Sequence, residues 1–111
     1  SEQAEPRASV GDVIAGGSTT IYNGNGILRI TLPSGNFWAD IVAQIDYTSQ
    51  NGIVSCSVLT PDGTTISLGN IVGSGSRTNA YEVFYASAGT YSFYFSSTIT
   101  SPYDVSAFIY D

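Results

Sequence analysis

The sequence predicts an all-β fold, an antiparallel β-sandwich of about eight short strands with jelly-roll or Greek-key connections. Three observations carry this reading. β-branched and aromatic residues alternate with polar ones along most of the chain, the two-residue period of a strand with one buried face. Gly, Pro, Asn and Asp interrupt these runs at close intervals. No stretch keeps a 3.6-residue apolar period with helix-forming composition, so any helix is expected to be a single turn. A single closed barrel is the alternative architecture.

The 111 residues fit one domain. Residues 1–9 are polar, contain Pro6 and read as a flexible tail or linker, which leaves 10–111 as the β-sandwich domain. Strands are expected near Val10-Ala15, Thr19-Tyr22, Ile27-Leu32, Trp38-Tyr47, Ile53-Leu59, Thr64-Leu68, Ala80-Ala86, Thr90-Ser96 and Tyr103-Tyr110. Three turns carry their own chemistry. Gln50-Asn51-Gly52 holds the Asn-Gly pair that tolerates positive φ, and Thr60-Pro61-Asp62-Gly63 places Pro at the first central position of a type I turn. Ser87-Ala88-Gly89 reads as a short hairpin loop. These turns imply two meanders, Trp38 to Leu68 and Ala80 to Tyr110, joined by the Gly/Ser-rich link from Gly69 to Ser76.

Charge excludes several partners. Arg7, Arg29 and Arg77 are the only cations, against nine carboxylates, for a net charge of −6 and no Lys. Three scattered arginines cannot make the patch that a phosphate backbone or an anionic membrane surface requires, so neither nucleic acid nor membrane is an expected partner. Nor does any apolar run approach the roughly 18 residues of a membrane-spanning helix. Only 11% of residues are charged, so solubility rests on Ser, Thr, Asn and Gly, as in extracellular β-proteins. With a start at Ser1 rather than Met, this points to a processed, secreted or extracellular chain.

Catalytic chemistry is hard to assemble from this inventory. His is absent, which removes the usual general base, metal ligand and triad member, and no Lys is present as a base. Glu82 and the aspartates could form a two-carboxylate site only by chance proximity, so no enzyme activity is expected. Asp40, Asp46, Asp62 and Asp104 are the candidate calcium ligands, but a turn explains Asp62, a strand start explains Asp104, and a solvent-facing strand surface explains Asp40 and Asp46. No metal or other cofactor is expected. Cys56, the sole cysteine, lies between Val54 and Val58 on one strand face and reads as a buried structural thiol.

The strand faces supply the candidate site. Tyr81, Val83 and Tyr85, then Tyr91, Phe93 and Phe95, then Val105, Ala107 and Ile109 form apolar odd-numbered rows assigned to the core. Ala39, Ile41, Ala43 and Ile45 join them. The even positions then face outward, where Glu82, Ser92, Ser96, Asp104 and Ser106 are ordinary, while Phe84, Tyr94, Phe108 and Tyr110 form an outward aromatic set. Trp38, at a strand start after Pro33-Ser34-Gly35-Asn36, is a further candidate contact. Aromatic rings of this kind stack on sugars or fill protein interfaces.

Three stretches resemble the bacterial pre-peptidase C-terminal domain, a secreted β-sandwich often appended to extracellular hydrolases. Ile53 to Thr64 looks like that family's strand and Pro-Asp-Gly turn, Ala88 to Phe95 like its Ala-Gly-Thr-Tyr strand, and Tyr103 to Phe108 like its closing strand. The paired aspartates that the family commonly places before the turn are Ser55 and Ser57 here, so the resemblance does not carry calcium binding with it. The expected function is a non-catalytic extracellular binding module that recognises a polysaccharide or a protein surface. The alternative is a structural subunit of a virion, fibre or surface assembly, a homo-oligomer that self-associates through the same aromatics.

Overall fold

The computed structural model describes residues 13–46, 51–74 and 77–111; the side chains of residues 51, 73, 74 and 77–81 lie outside the description. Eight strands form: β1 (Val13–Ile21), β2 (Gly26–Leu32), β3 (Phe37–Asp46), β4 (Asn51–Leu59), β5 (Thr65–Ser74), β6 (Arg77–Ala86), β7 (Gly89–Ser97) and β8 (Tyr103–Tyr110). They make two four-stranded antiparallel sheets, a front sheet in the order β1-β8-β3-β6 and a back sheet in the order β2-β7-β4-β5. No helix is present among the described residues.

The order has a simple origin. β1 pairs with β8, β2 with β7, β3 with β6 and β4 with β5, as if the whole chain were one long hairpin closed at the β4–β5 turn. Rolling that hairpin up adds the pairs β3 with β8 and β4 with β7, and consecutive strands other than β4 and β5 then lie in different sheets. This is the jelly roll, whose two sheets bury their inner faces against each other.

The expected meanders are therefore not present. Among the described residues β4 and β5 are the only consecutive strands that pair, across a turn in which Gly63 N donates to Thr60 O at 3.0 Å. Ser87-Ala88-Gly89 is a corner between sheets rather than a hairpin loop, because β6 is committed to β3 while β7 lies between β2 and β4. The Gly/Ser-rich link is strand as far as Ser74, accommodated by a bulge at which Gly69 takes a φ of 77°. The first two predicted strands are one, β1, running through Gly16 and Gly17. The 1–9 tail, Val10, Tyr47 and Gln50 lie outside the described residues.

The core is filled by the inner rows of both sheets: Ala39, Ile41, Ala43, Ile45, Val105, Ala107 and Ile109 from the front, and Leu28, Ile30, Val54, Val58, Tyr91, Phe93 and Phe95 from the back. Cys56 is buried among them, as expected, and burial pushes its thiol pKa up to about 12. The phase of β6 is a correction. Its register sets Phe84 opposite Ala39 and Ala86 opposite Phe37, so the even positions face the core and Tyr85, opposite Trp38, faces out at 57% exposure. Glu82, partner of Ile41, is exposed on the core-facing row of this edge strand, where a charge discourages pairing with other chains. The side chain of Tyr81 is outside the description.

Candidate functional site

The strand register assembles the outward face of the front sheet in rows. Trp38 pairs with Tyr85; Asp40 lies between Tyr110 and Val83; Val42 is beside Phe108, which is beside Gly16; Gln44, Ser106 and Ser18 form the next row, and Asp46, Asp104 and Thr20 the last. One end of the face is aromatic and apolar, the other polar. The two halves meet at Phe108.

The aromatic half is built from contacts between neighbours. Trp38 and Tyr85 meet edge to face with centroids 5.5 Å apart, and Phe108 and Tyr110 are tilted at 6.2 Å. Phe108 has its place because Gly16 lacks a side chain: a Cβ there would stand 2.6 Å from the Phe108 Cδ1. Asp40 is only 6% exposed, contrary to the solvent-facing role expected of it, since it is flanked on both sides by larger residues of β8 and β6.

The polar half is a groove of about 540 Å³ lined by Ser18, Thr20, Gln44, Asp46, Asp104 and Ser106, with Phe108 as its apolar wall. Thr20 Oγ1 donates to Asp104 Oδ1 at 2.7 Å, which fixes that carboxylate in the groove floor. The two carboxylates are cross-strand partners, yet no third acidic, His or Cys side chain joins a cluster that could hold a metal among the described residues.

Of the five side chains singled out from the sequence, Trp38, Phe108 and Tyr110 therefore share one face. Phe84 does not: it packs against the core and meets Tyr91 edge to face at 5.5 Å. Tyr94, 40% exposed, is on the outer face of the back sheet beside Ile27. The missed member is Tyr85, assigned to the core by carrying the odd-number phase of β7 and β8 onto β6. Its pairing with Trp38 is visible only in the register. Gln44, Ser18 and Thr20 carried no signal at all, because exposed polar residues on strands are ordinary.

No family model and no curated protein matches the chain. Solved structures do. AlgX of Pseudomonas aeruginosa is 15% identical with a TM-score of 0.57 over 88% of this chain, which spans about a quarter (26%) of the AlgX chain. The pre-peptidase C-terminal domain of a collagenase from Bacillus anthracis is 7% identical with a TM-score of 0.51, over 85% of this chain and 86% of that one. The chain shares its fold with both. The xylan-binding CBM22-1 domain of Paenibacillus barcinonensis Xyn10C is 12% identical with a TM-score of 0.46, over 94% of this chain and 97% of that domain. The β-sandwich implied by the pre-peptidase resemblance is thus present, and at these identities the likeness is one of fold.

Proposed function

We propose that the chain is a non-catalytic, extracellular module that binds an extended polysaccharide across the outward face of the front sheet. The observation that carries this reading is that Trp38, Tyr85, Phe108 and Tyr110 stand on the same face as a groove lined by hydroxyl, amide and carboxylate groups. Sugars present both kinds of surface. Their C–H faces cover aromatic rings, and their hydroxyls donate to Asp46 and Asp104 or exchange hydrogen bonds with Gln44, Ser18 and Ser106. Each ring covered by a sugar removes on the order of 50 Å² of apolar surface from water, worth ~1 kcal/mol at about 25 cal/mol per Å². A chain of several sugars engages several such rings, so individually weak contacts add along the face.

Trp38 is the only tryptophan and serves as its own probe. Soluble glucans, xylans and galactans are titrated against its fluorescence, with retardation in polysaccharide-containing native gels as the second measurement. A ligand is expected to shift Trp38 emission and to lose affinity when Tyr85 and Tyr110 are both replaced by Ala. If no polysaccharide retards the protein, or if Tyr85→Ala/Tyr110→Ala binds as tightly as the parent, the reading is wrong.

A further inference from the structure

We propose a second site at the turn end of the sandwich, adjoining the front face at Tyr85, which takes a small organic ammonium ion. A cavity of about 190 Å³ lies between the β4–β5 turn and the β6–β7 corner, lined among others by Thr60, Asp62, Thr64, Phe84 and Tyr85. It has the size of a small molecule and combines one carboxylate with aromatic rings.

The carboxylate is held ready. Asp62 Oδ1 accepts from the Thr60 hydroxyl and from Thr64 N–H at 3.1 Å; hydrogen bonds from the Thr60 side chain, the Thr64 side chain and the Thr64 N–H hold its pKa below the usual carboxylate value, so it is ionised at neutral pH. The turn thus holds the carboxylate at the rim of the cavity, where Asp62 is exposed. The ring of Phe84 is fixed edge to face against Tyr91, itself anchored where Tyr91 OH donates to Ser87 O at 2.6 Å. Tyr85 is fixed in the same way against Trp38.

A cation is attracted both by a carboxylate and by the quadrupole of an aromatic ring, whereas an anion is repelled by both and a neutral molecule gains hydrogen bonds and apolar contact without the ionic attraction. No Arg lines the cavity, and Arg29, paired with Ser92 on the back sheet, is exposed. A bare metal ion would find one carboxylate where several oxygen ligands are required. The chemistry that fits is an ammonium centre carried on an organic frame, either a quaternary headgroup or an amino sugar.

The test follows amide resonances of Thr64, Phe84 and Ser87 in labelled protein during titration with choline, with glucosamine and with glucose. Choline or glucosamine is expected to shift them and glucose to leave them unmoved. Response to glucosamine alone identifies an amino-sugar site, and response to choline a quaternary one. Asp62→Asn keeps the Oδ1 acceptor and the turn, and is expected to weaken binding about tenfold; Phe84→Leu keeps apolar bulk without the ring and weakens it severalfold. Both changes keep Tyr85, which the two sites share, and leave Trp38, Phe108, Tyr110 and the groove in place, so polysaccharide binding at the front face is expected to persist. If no ammonium compound shifts these amides, if glucose does so equally, or if Asp62→Asn binds as tightly as the parent, the site does not exist.

Discussion

On the front sheet the outward rows pass from Trp38 and Tyr85 through Tyr110 and Phe108 to Gln44, Ser106, Asp46 and Asp104. On the back sheet they are Thr31 with Thr90, Arg29 with Ser92 and Leu59, Ile27 with Tyr94 and Ser57, Ser55 with Ser96 and Asn70, and Ile53 with Val72. Both faces mix rings and hydroxyls, and composition alone would not separate them. Arrangement does. The front face gathers its rings at one end and opens a groove at the other, whereas the back face spreads its exposed apolar side chains, with Tyr94 beside Ile27, Leu59 beside Ser92 and Ile53 beside Val72, among hydroxyls and without a second ring. Two of the back-face polar contacts are also made within the protein: Ser55 Oγ donates to Ser96 O at 3.4 Å, and Thr31 and Thr90 share a contact at 3.4 Å. A face is fitted to a ligand by adjacent apolar area and hydrogen-bonding groups still free to accept one, more than by how many of each it holds.

This contrast can be broken by substitution. The largest effect is expected from Trp38→Ala/Tyr110→Ala, which removes two rings and about 2 kcal/mol of binding, roughly thirtyfold in affinity, while Tyr94→Ala on the back face changes it by less than about twofold. Titration calorimetry with a polysaccharide that binds the parent decides this, and equal losses on both faces would erase the distinction. Next comes Tyr91→Phe. The Tyr91 hydroxyl donates to Ser87 O and accepts from Ser87 N–H, so its loss at the corner joining the sheets is expected to cost about 1–2 kcal/mol in urea unfolding without altering either face.

A smaller effect is expected from Gly16→Ala. The added Cβ forces the Phe108 ring to move, lowering stability by about 1 kcal/mol and affinity severalfold, whereas Thr31→Ala on the back stays within about 0.5 kcal/mol. The smallest concerns Cys56, beneath the back sheet. Its folded pKa of about 12 lies above the ordinary thiol value of 9.0, so the folded state binds more protons than the unfolded state between these values. Its contribution to stability is intact below pH 9 and falls as pH rises from there toward 12. Native protein is expected to react with a thiol reagent at neutral pH only as fast as it opens.

Much of this molecule was legible in its residues. Alternation in β3, β7 and β8 identified Ile41, Phe93 and Val105 as core, and Pro61-Asp62-Gly63 marked the one true hairpin. Trp38, Phe108 and Tyr110 were identifiable as outward rings. Phe84 and Tyr85 were interchanged because alternation gives a strand's period but not which of its two faces is buried, and β6 carries aromatic residues on both. Asp40 was misread because its burial comes from neighbours 70 and 43 residues away on other strands.

The sequence by itself determined the all-β class, the absence of His and Lys, the acidic charge and the inward rows of most strands, since these follow from residue type and the two-residue period. Tertiary structure alone decided which strands became neighbours, which face of β6 went inside, and that Tyr85, Trp38, Tyr110 and Phe108 share one face, with Phe108 as the wall of its groove. The reason is that jelly-roll pairing is non-local. β1 meets β8 and β3 meets both β6 and β8, so the face that collects these rings is set by the register between strands distant in the chain.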